Sequence, residues 1–251
     1  MNILACIKRV PATGGVIALT ADEQELDTRF LGFTVSPHEE CAVEEALRLK
    51  EAHGGSVLVL SLGPEAAQDQ LRDTLAMGAD DVLLLETDGR EWDAAATAGA
   101  LVAAVKAEPA PFDLLLFGNE SADAGGYQVP VRVAHLLGLP CLTGVKSLTV
   151  TGRTATAKRE MPGGWEVYEV ELPAVISVKE GINLPRYPSI PGRLKAKRKA
   201  IRRLQPAWPG SQLEKLKFQL PPRVERQVEI LGEGPAAAPK VVALLKQIGV
   251  G

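Results

Sequence analysis

Residues 56–62, SVLVLSL, and residues 81–86, DVLLLE, are apolar at almost every interior position. A strand with one wet face alternates apolar and polar side chains, whereas a strand covered on both faces has no such constraint. Both runs therefore read as buried strands of a parallel sheet. Residues 2–8 and 112–117 repeat the pattern and supply two more.

Helical patterns lie between these strands. Over residues 39–53, Val43, Ala46 and Leu47 share one side, with Glu44, Glu45 and Arg48 toward water. Pro64 stands at a first helical position, Leu71 and Leu75 continue that helix, and Gly78 closes it. Residues 94–106 and 126–137 give two further helices. Alternation of this kind requires right-handed crossovers and a sheet between two helix layers. The predicted fold class is α/β: a three-layer, open, mostly parallel twisted sheet, Rossmann-like.

After Gly138 the pattern changes. Residues 145–150, 154–160 and 165–171 read as short strands, the last two as a hairpin, and 174–179 as a more buried strand. This is a small antiparallel addition. Beyond Pro185 the chain is Pro-rich, basic and irregular until a last helix over 236–248. The predicted division is an α/β domain over 1–184 and an extended arm over 185–251 that packs on something else.

The 251-residue chain carries a net charge of −3, so no global basic field recruits nucleic acid. Cys6, Cys41 and Cys141 lie far apart without metal-ligand spacing and read as reduced, which points to the cytoplasm. The N-terminal run lacks a signal-peptide core, and no run approaches the ~20 apolar residues of a membrane span. The basic run 193–203 is interleaved with Leu194, Ala196 and Ile201 rather than stacking aromatics. It reads as a solvated strand or arm, or as a cationic surface for an acidic partner chain.

Open parallel sheets bind ligands at the carboxyl ends of their strands, where strand order reverses. Four loops should gather there: after Lys8, at Ser36-Pro37-His38, at Leu62-Gly63-Pro64, and over 118–128. The last is glycine-rich, follows an apolar strand and enters a helix, so it offers backbone N–H groups and a positive helix end to a phosphate. Asp123 is placed for a ribose hydroxyl or for helix capping, and Gln128 for a polar contact. His53 reads as solvated and His135 as a core or interface residue; His38 alone lies near the cleft. No residues assemble a nucleophile, base and orienting group, and no cluster reads as a metal site. The chain is expected to bind rather than catalyse.

Several blocks together bear a family resemblance: ACIKRV at 5–10, CAVEEALRLKE at 41–51, LAMGAD at 75–80, Asp123 with Gln128, and VKEGINLPRYPSIPGRLKAKRK at 178–199. In this order they resemble the electron-transfer flavoprotein β-subunit family over nearly the whole chain. The resemblance implies the adenine-nucleotide-binding type of the fold and a heterodimer with a larger α subunit. That subunit holds most of one FAD, and the arm packs on it. It also implies a structural AMP in this chain's cleft, near Cys6, Ser36, Leu62, Gly118, Asn119, Ser121, Asp123, Gly125, Gly126, Gln128 and Val129. Thr13 and His38 would lie near the flavin, at positions where relatives carry aromatics. Gly181, Ile182, Asn183 and Leu184 would form a recognition loop, near 178–187, with Ile182 its exposed anchor. The implied function is to take electrons from acyl-CoA-type or other flavin dehydrogenases and pass them to a quinone reductase. A branch of the family binds a second FAD in place of AMP and bifurcates electrons, and it remains an alternative. From another class, a nucleotide-binding stress-type protein leaves the basic arm and PRYPSIPG without a purpose.

Overall fold

The apolar runs form the centre of a nine-stranded sheet in a computed structural model that describes residues 1–12, 14, 17–222 and 228–250. Thr13 lies outside the described residues. The chain begins with β1 (Asn2–Ile7), β2 (Arg9–Pro11), β3 (Phe33–Val35) and α1 (Pro37–His53). It continues through β4 (Ser56–Gly63), α2 (Gln68–Met77), β5 (Asp81–Glu86), α3 (Ala94–Ala107), β6 (Leu114–Gly118) and α4 (Val129–Leu137). Then come β7 (Cys141–Thr151), β8 (Thr154–Met161), β9 (Gly164–Glu171), β10 (Ala174–Val178), α5 (Ile190–Arg198), β11 (Arg202–Leu204) and α6 (Ala238–Gln247). Pro64 caps a 3-10 turn, Glu65–Ala67, rather than opening α2 itself.

Spatial order is β11-β5-β4-β1-β6-β10-β7-β8-β9. Every pair from β11 to β7 is parallel, while β8 and β9 are antiparallel additions. β2 and β3 form a separate antiparallel pair. Alternate residues of each central strand enter different cores. Ile3, Ala5, Val57, Val59 and Leu84 pack with Val43, Ala46 and Leu47 of α1 and Leu71 of α2. Leu4, Cys6, Leu58, Leu60 and Leu85 pack with Leu101 of α3 and Val133 of α4. Each such leucine, fully buried, contributes roughly 1.5–3 kcal/mol, so covering both faces is what makes the uninterrupted apolar runs favourable.

Two features add to or alter the expected arm and first helix. The basic run is ordered into α5 and β11. Gly192 lets α5 press on α2, because a Cβ there would overlap the Ala76 carbonyl oxygen. Arg72 donates from α2 to the Ala196 carbonyl at 2.9 Å. Arg202 meets Glu108 at 2.6 Å and Arg203 meets Glu86 at 2.9 Å, so these cations serve acids of their own chain. On α1, Glu44 and Glu45 are buried instead of facing water, because residues 183–186 cover them. Residues 1–216 form one compact unit and 217–251 a second. The helix of the second, α6, exposes Val241, Val242, Leu244 and Leu245.

Candidate functional site

The chain leaves β1 for β4 and β5 on one side, then returns to β6 on the other side of β1. Strand order therefore reverses between β1 and β6, and the crevice of an open α/β sheet lies beyond their carboxyl ends. Lys8 follows β1 there and Asn119 follows β6.

The N-terminus of α1 fits into this crevice. Gly118, ending β6, permits the approach: a Cβ there would sit 2.5 Å from Glu39 Cγ and 2.9 Å from the Glu39 backbone nitrogen. Ser36-Pro37-His38-Glu39 has the spacing of a capping box, in which the Ser side chain accepts from the backbone of the third helical residue. Here the Ser36 hydroxyl makes no cap bond and accepts instead from the Ala122 N–H at 3.0 Å. That bond ties the 118–128 loop to α1. The Glu39 carboxylate accepts the Lys8 N–H at 2.8 Å, fixing the turn after β1. Burial pushes the Glu39 carboxyl up to about 8, opposed by the Lys8 and Ser36 N–H groups and the Lys8 charge.

The loop completes the crevice. Lys8 Nζ lies 2.6 Å from Asp123 Oδ2. Burial raises the Asp123 carboxyl, but the Lys8 charge and bonds from Lys8 and Ser121 outweigh it and hold it below its usual value. The Gly125 N–H donates to the Ser121 carbonyl at 2.9 Å, with Gly125 at φ +54. Tyr127 adopts φ +57, so α4 begins at Val129, three residues later than the pattern predicts. Asn119 is buried, donates its N–H to the Val178 carbonyl at 2.9 Å and accepts from the Ser177 hydroxyl at 3.0 Å. His38 Nε2 stands 3.5 Å from Glu120 Oε1, while its Nδ1 is buried without a partner among the described residues.

The structure thus gathers Ser36, Ser121 and Asp123, with Gly118 and Asn119 at their base. Cys6 is buried in the core on the α3 and α4 side, and burial, then Glu39, pushes its thiol up. Leu62 and Val129 pack partly against that core. The Gln128 side chain accepts from Arg132 at 3.0 Å. Gly126 has open space where a Cβ would stand. His53 is exposed as expected, whereas His135 is exposed rather than in the core. Lys8 and Glu39 are the site residues that sequence reasoning missed. The capping-box spacing signals Glu39, and the position directly after β1 signals Lys8.

The expected recognition loop lies along α1. Ile182 is half-buried against the core, and Gly181 precedes it at φ +91. The Asn183 amide donates to the Cys41 carbonyl at 3.0 Å and to Glu45 at 2.9 Å. Leu184 carries the exposed apolar side chain of the four, at 84%, and Gly181 is exposed as well. No helix among the described residues is long and apolar enough to cross a membrane.

Comparison with known proteins places the chain in a family. Residues 27–208 match the model of the electron transfer flavoprotein domain. The chain is 35% identical to the electron transfer flavoprotein subunit beta of Bacillus subtilis, covering 98% of each chain. It is 36% identical to the protein of that name from Syntrophomonas wolfei, over 98% of this chain and 96% of the other. The same-named protein of Mycobacterium tuberculosis H37Rv is 38% identical over 80% of this chain and 77% of its own. With a family model matching most of the chain and relatives above 30% identity along nearly all of it, the chain belongs to the electron transfer flavoprotein β-subunit family.

Proposed function

We propose that this chain is the β subunit of a heterodimeric electron carrier that works in the cytoplasm. With its α subunit it takes electrons from flavin dehydrogenases, of acyl-CoA type or other, and delivers them to a quinone reductase. FAD, held mostly by the α subunit, supplies the redox chemistry, and this chain supplies a scaffold and docking surfaces.

The observation that carries the reading is the crevice at the strand-order switch, closed over by the Lys8–Asp123 pair and the Ser36–Ala122 bond. Its groups suit an adenosine monophosphate. The 118–128 loop offers backbone N–H groups, Lys8 a cation, Asp123 an acceptor for ribose, and His38 a buried ring nitrogen without a partner. AMP here has no redox role; it would bind the loop and α1 together. Within the arm over 185–251, the α-subunit contact belongs chiefly to 217–251, supported by the exposed apolar side chains there. Dehydrogenase docking belongs to the segment around Leu184, where Tyr187 and Ile190 are 93% and 78% exposed; Ile182, half-buried, supports it from beneath.

The test is to purify the chain alone and with its α subunit, release bound nucleotides and identify them. One AMP from the chain alone, with one FAD only in the heterodimer, is the expected result. Two FAD and no AMP would assign the second-flavin, bifurcating form instead. No nucleotide in either preparation would overturn the crevice assignment.

A further inference from the structure

Residues 183–191 read NLPRYPSIP, with proline at every third position: Pro185, Pro188 and Pro191. Proline fixes φ near −65° and biases the residue before it toward extended backbone, so this spacing favours a left-handed polyproline helix of ~3 residues per turn. Residues 184–189 form neither helix nor strand, and Ser189, where α5 begins, has φ −72 and ψ 154. Burial follows the same period. Asn183 and Arg186 are partly buried against α1, while Leu184, Tyr187 and Ile190 are exposed at 84%, 93% and 78%.

The inner row is bolted down. The Arg186 guanidinium donates to Glu44 from Nε at 2.8 Å and Nη2 at 3.0 Å, and to Glu51 from Nη1 at 2.5 Å and Nη2 at 3.1 Å. Its backbone N–H also donates to Glu44, at 3.1 Å. Glu44 is 3% exposed, and Arg48 donates to it at 3.0 Å. A buried carboxylate needs pairing, and the planar fork of arginine matches it in a way lysine cannot.

We propose that Arg186, through Glu44 and Glu51, is a positioning residue for electron transfer between this subunit and its dehydrogenases. It touches no partner; it fixes the register and direction of the Leu184–Tyr187–Ile190 row before docking. Ordering a flexible segment on binding costs affinity, and a segment already held avoids that cost. The inference rests on the docking role proposed above for this segment, and the experiment separates the two.

Three variants are compared: R186Q, which removes the fork; E51Q, which loosens only its exposed half; and L184A/Y187A/I190A, which strips the outer row. Each is assembled with the α subunit and assayed for FAD reduction by an acyl-CoA dehydrogenase charged with its acyl-CoA. Backbone order parameters of residues 184, 187 and 190 are measured on the full chain. For R186Q, KM for the dehydrogenase should rise at least tenfold with kcat unchanged, and the order parameters should fall from about 0.85 toward about 0.6. R186K should recover only part, and E51Q should show a smaller rise in KM. The stripped variant should raise KM with Arg186 still held. A rise in KM without loss of order in R186Q, or loss of order without a rise, would overturn the positioning role. An unchanged KM in the stripped variant would instead overturn the docking role.

Discussion

Lys8 and Asp123 face each other at 2.6 Å across the crevice where strand order reverses. One follows β1 and the other lies in the loop after β6, so the pair joins the two halves of the sheet at its ligand end. The Lys8 backbone is itself held by Glu39. Three residues far apart in sequence therefore fix one corner of the site.

Removing either member of the pair should release the nucleotide proposed for the crevice. K8M and D123N are each expected to lower nucleotide occupancy at least tenfold after exhaustive dialysis, with helix content unchanged by circular dichroism. Asp123 titrates below its ordinary value when folded. Its contribution is therefore complete above the ordinary aspartate range near ~3.9 and is lost as pH falls through the folded value. Occupancy measured down a pH series should drop on the acid side, and the drop should be absent in D123N.

Glu39 predicts the opposite slope. A carboxyl raised to about 8 when folded binds more protons in the native state than in the unfolded state. Stability is then greatest below the ordinary glutamate value near ~4.3 and declines as pH rises to the folded value. E39Q keeps the shape and cannot ionise. Urea midpoints at pH 6 and pH 9 should differ clearly in the parent chain and far less in the variant; equal slopes would place the Glu39 proton elsewhere.

Two of the close approaches of glycine, at Gly118 and Gly192, should behave unlike an ordinary helical glycine. G118A forces a methyl into Glu39 Cγ and backbone, and G192A forces one into the Ala76 carbonyl. Each should cost about 1–3 kcal/mol, the range for overpacking a filled contact. Gly99, inside α3 with nothing within 4 Å of its absent Cβ, should gain about 0.5–1 kcal/mol in G99A. Chemical denaturation of the three variants side by side provides the comparison.

Salt should expose how the sheet edge is held. R202Q and R203Q each remove ion pairs to acids around β5, exposed on the arginine side. R202Q is expected to lower stability by about 1 kcal/mol or less at low ionic strength and R203Q only slightly, and both losses should shrink in 1 M salt. A loss that salt leaves untouched would make the packing of the arginine stems, not their charge, the cause.

The parallel core was legible because burial on both faces leaves a local mark, as in SVLVLSL. The crevice was legible for a similar reason, since strand ends and a glycine-rich turn are also local. Glu44 and Glu45 were misjudged because the helical period places them outward, and only Arg186 and Asn183, more than a hundred residues away in sequence, cover them. The basic run stays largely exposed, as a solvated strand or arm would, but the pairing of Arg202 and Arg203 with Glu108 and Glu86 of other elements leaves no mark in the linear pattern. The family resemblance implies an exposed anchor at Ile182, whereas the turn sets its side chain half-buried against the core and leaves Leu184 outside. Long-range electrostatics and the direction of a loop side chain leave little trace in a linear pattern.

The sheet is completed by β11, whose residues 202–204 pair with β5 at residues 83–85. During synthesis the long edge of β5 waits, unpaired, while more than a hundred further residues are made. Unpaired edges recruit other chains, and non-local pairings form slowly. A ribosome that stalls, or a protease that clips, before residue 200 would leave a chain with most of its core and an open sticky border. The final short strand thus covers the middle of the β5 edge, and a chain that ends before it would leave that edge unpaired.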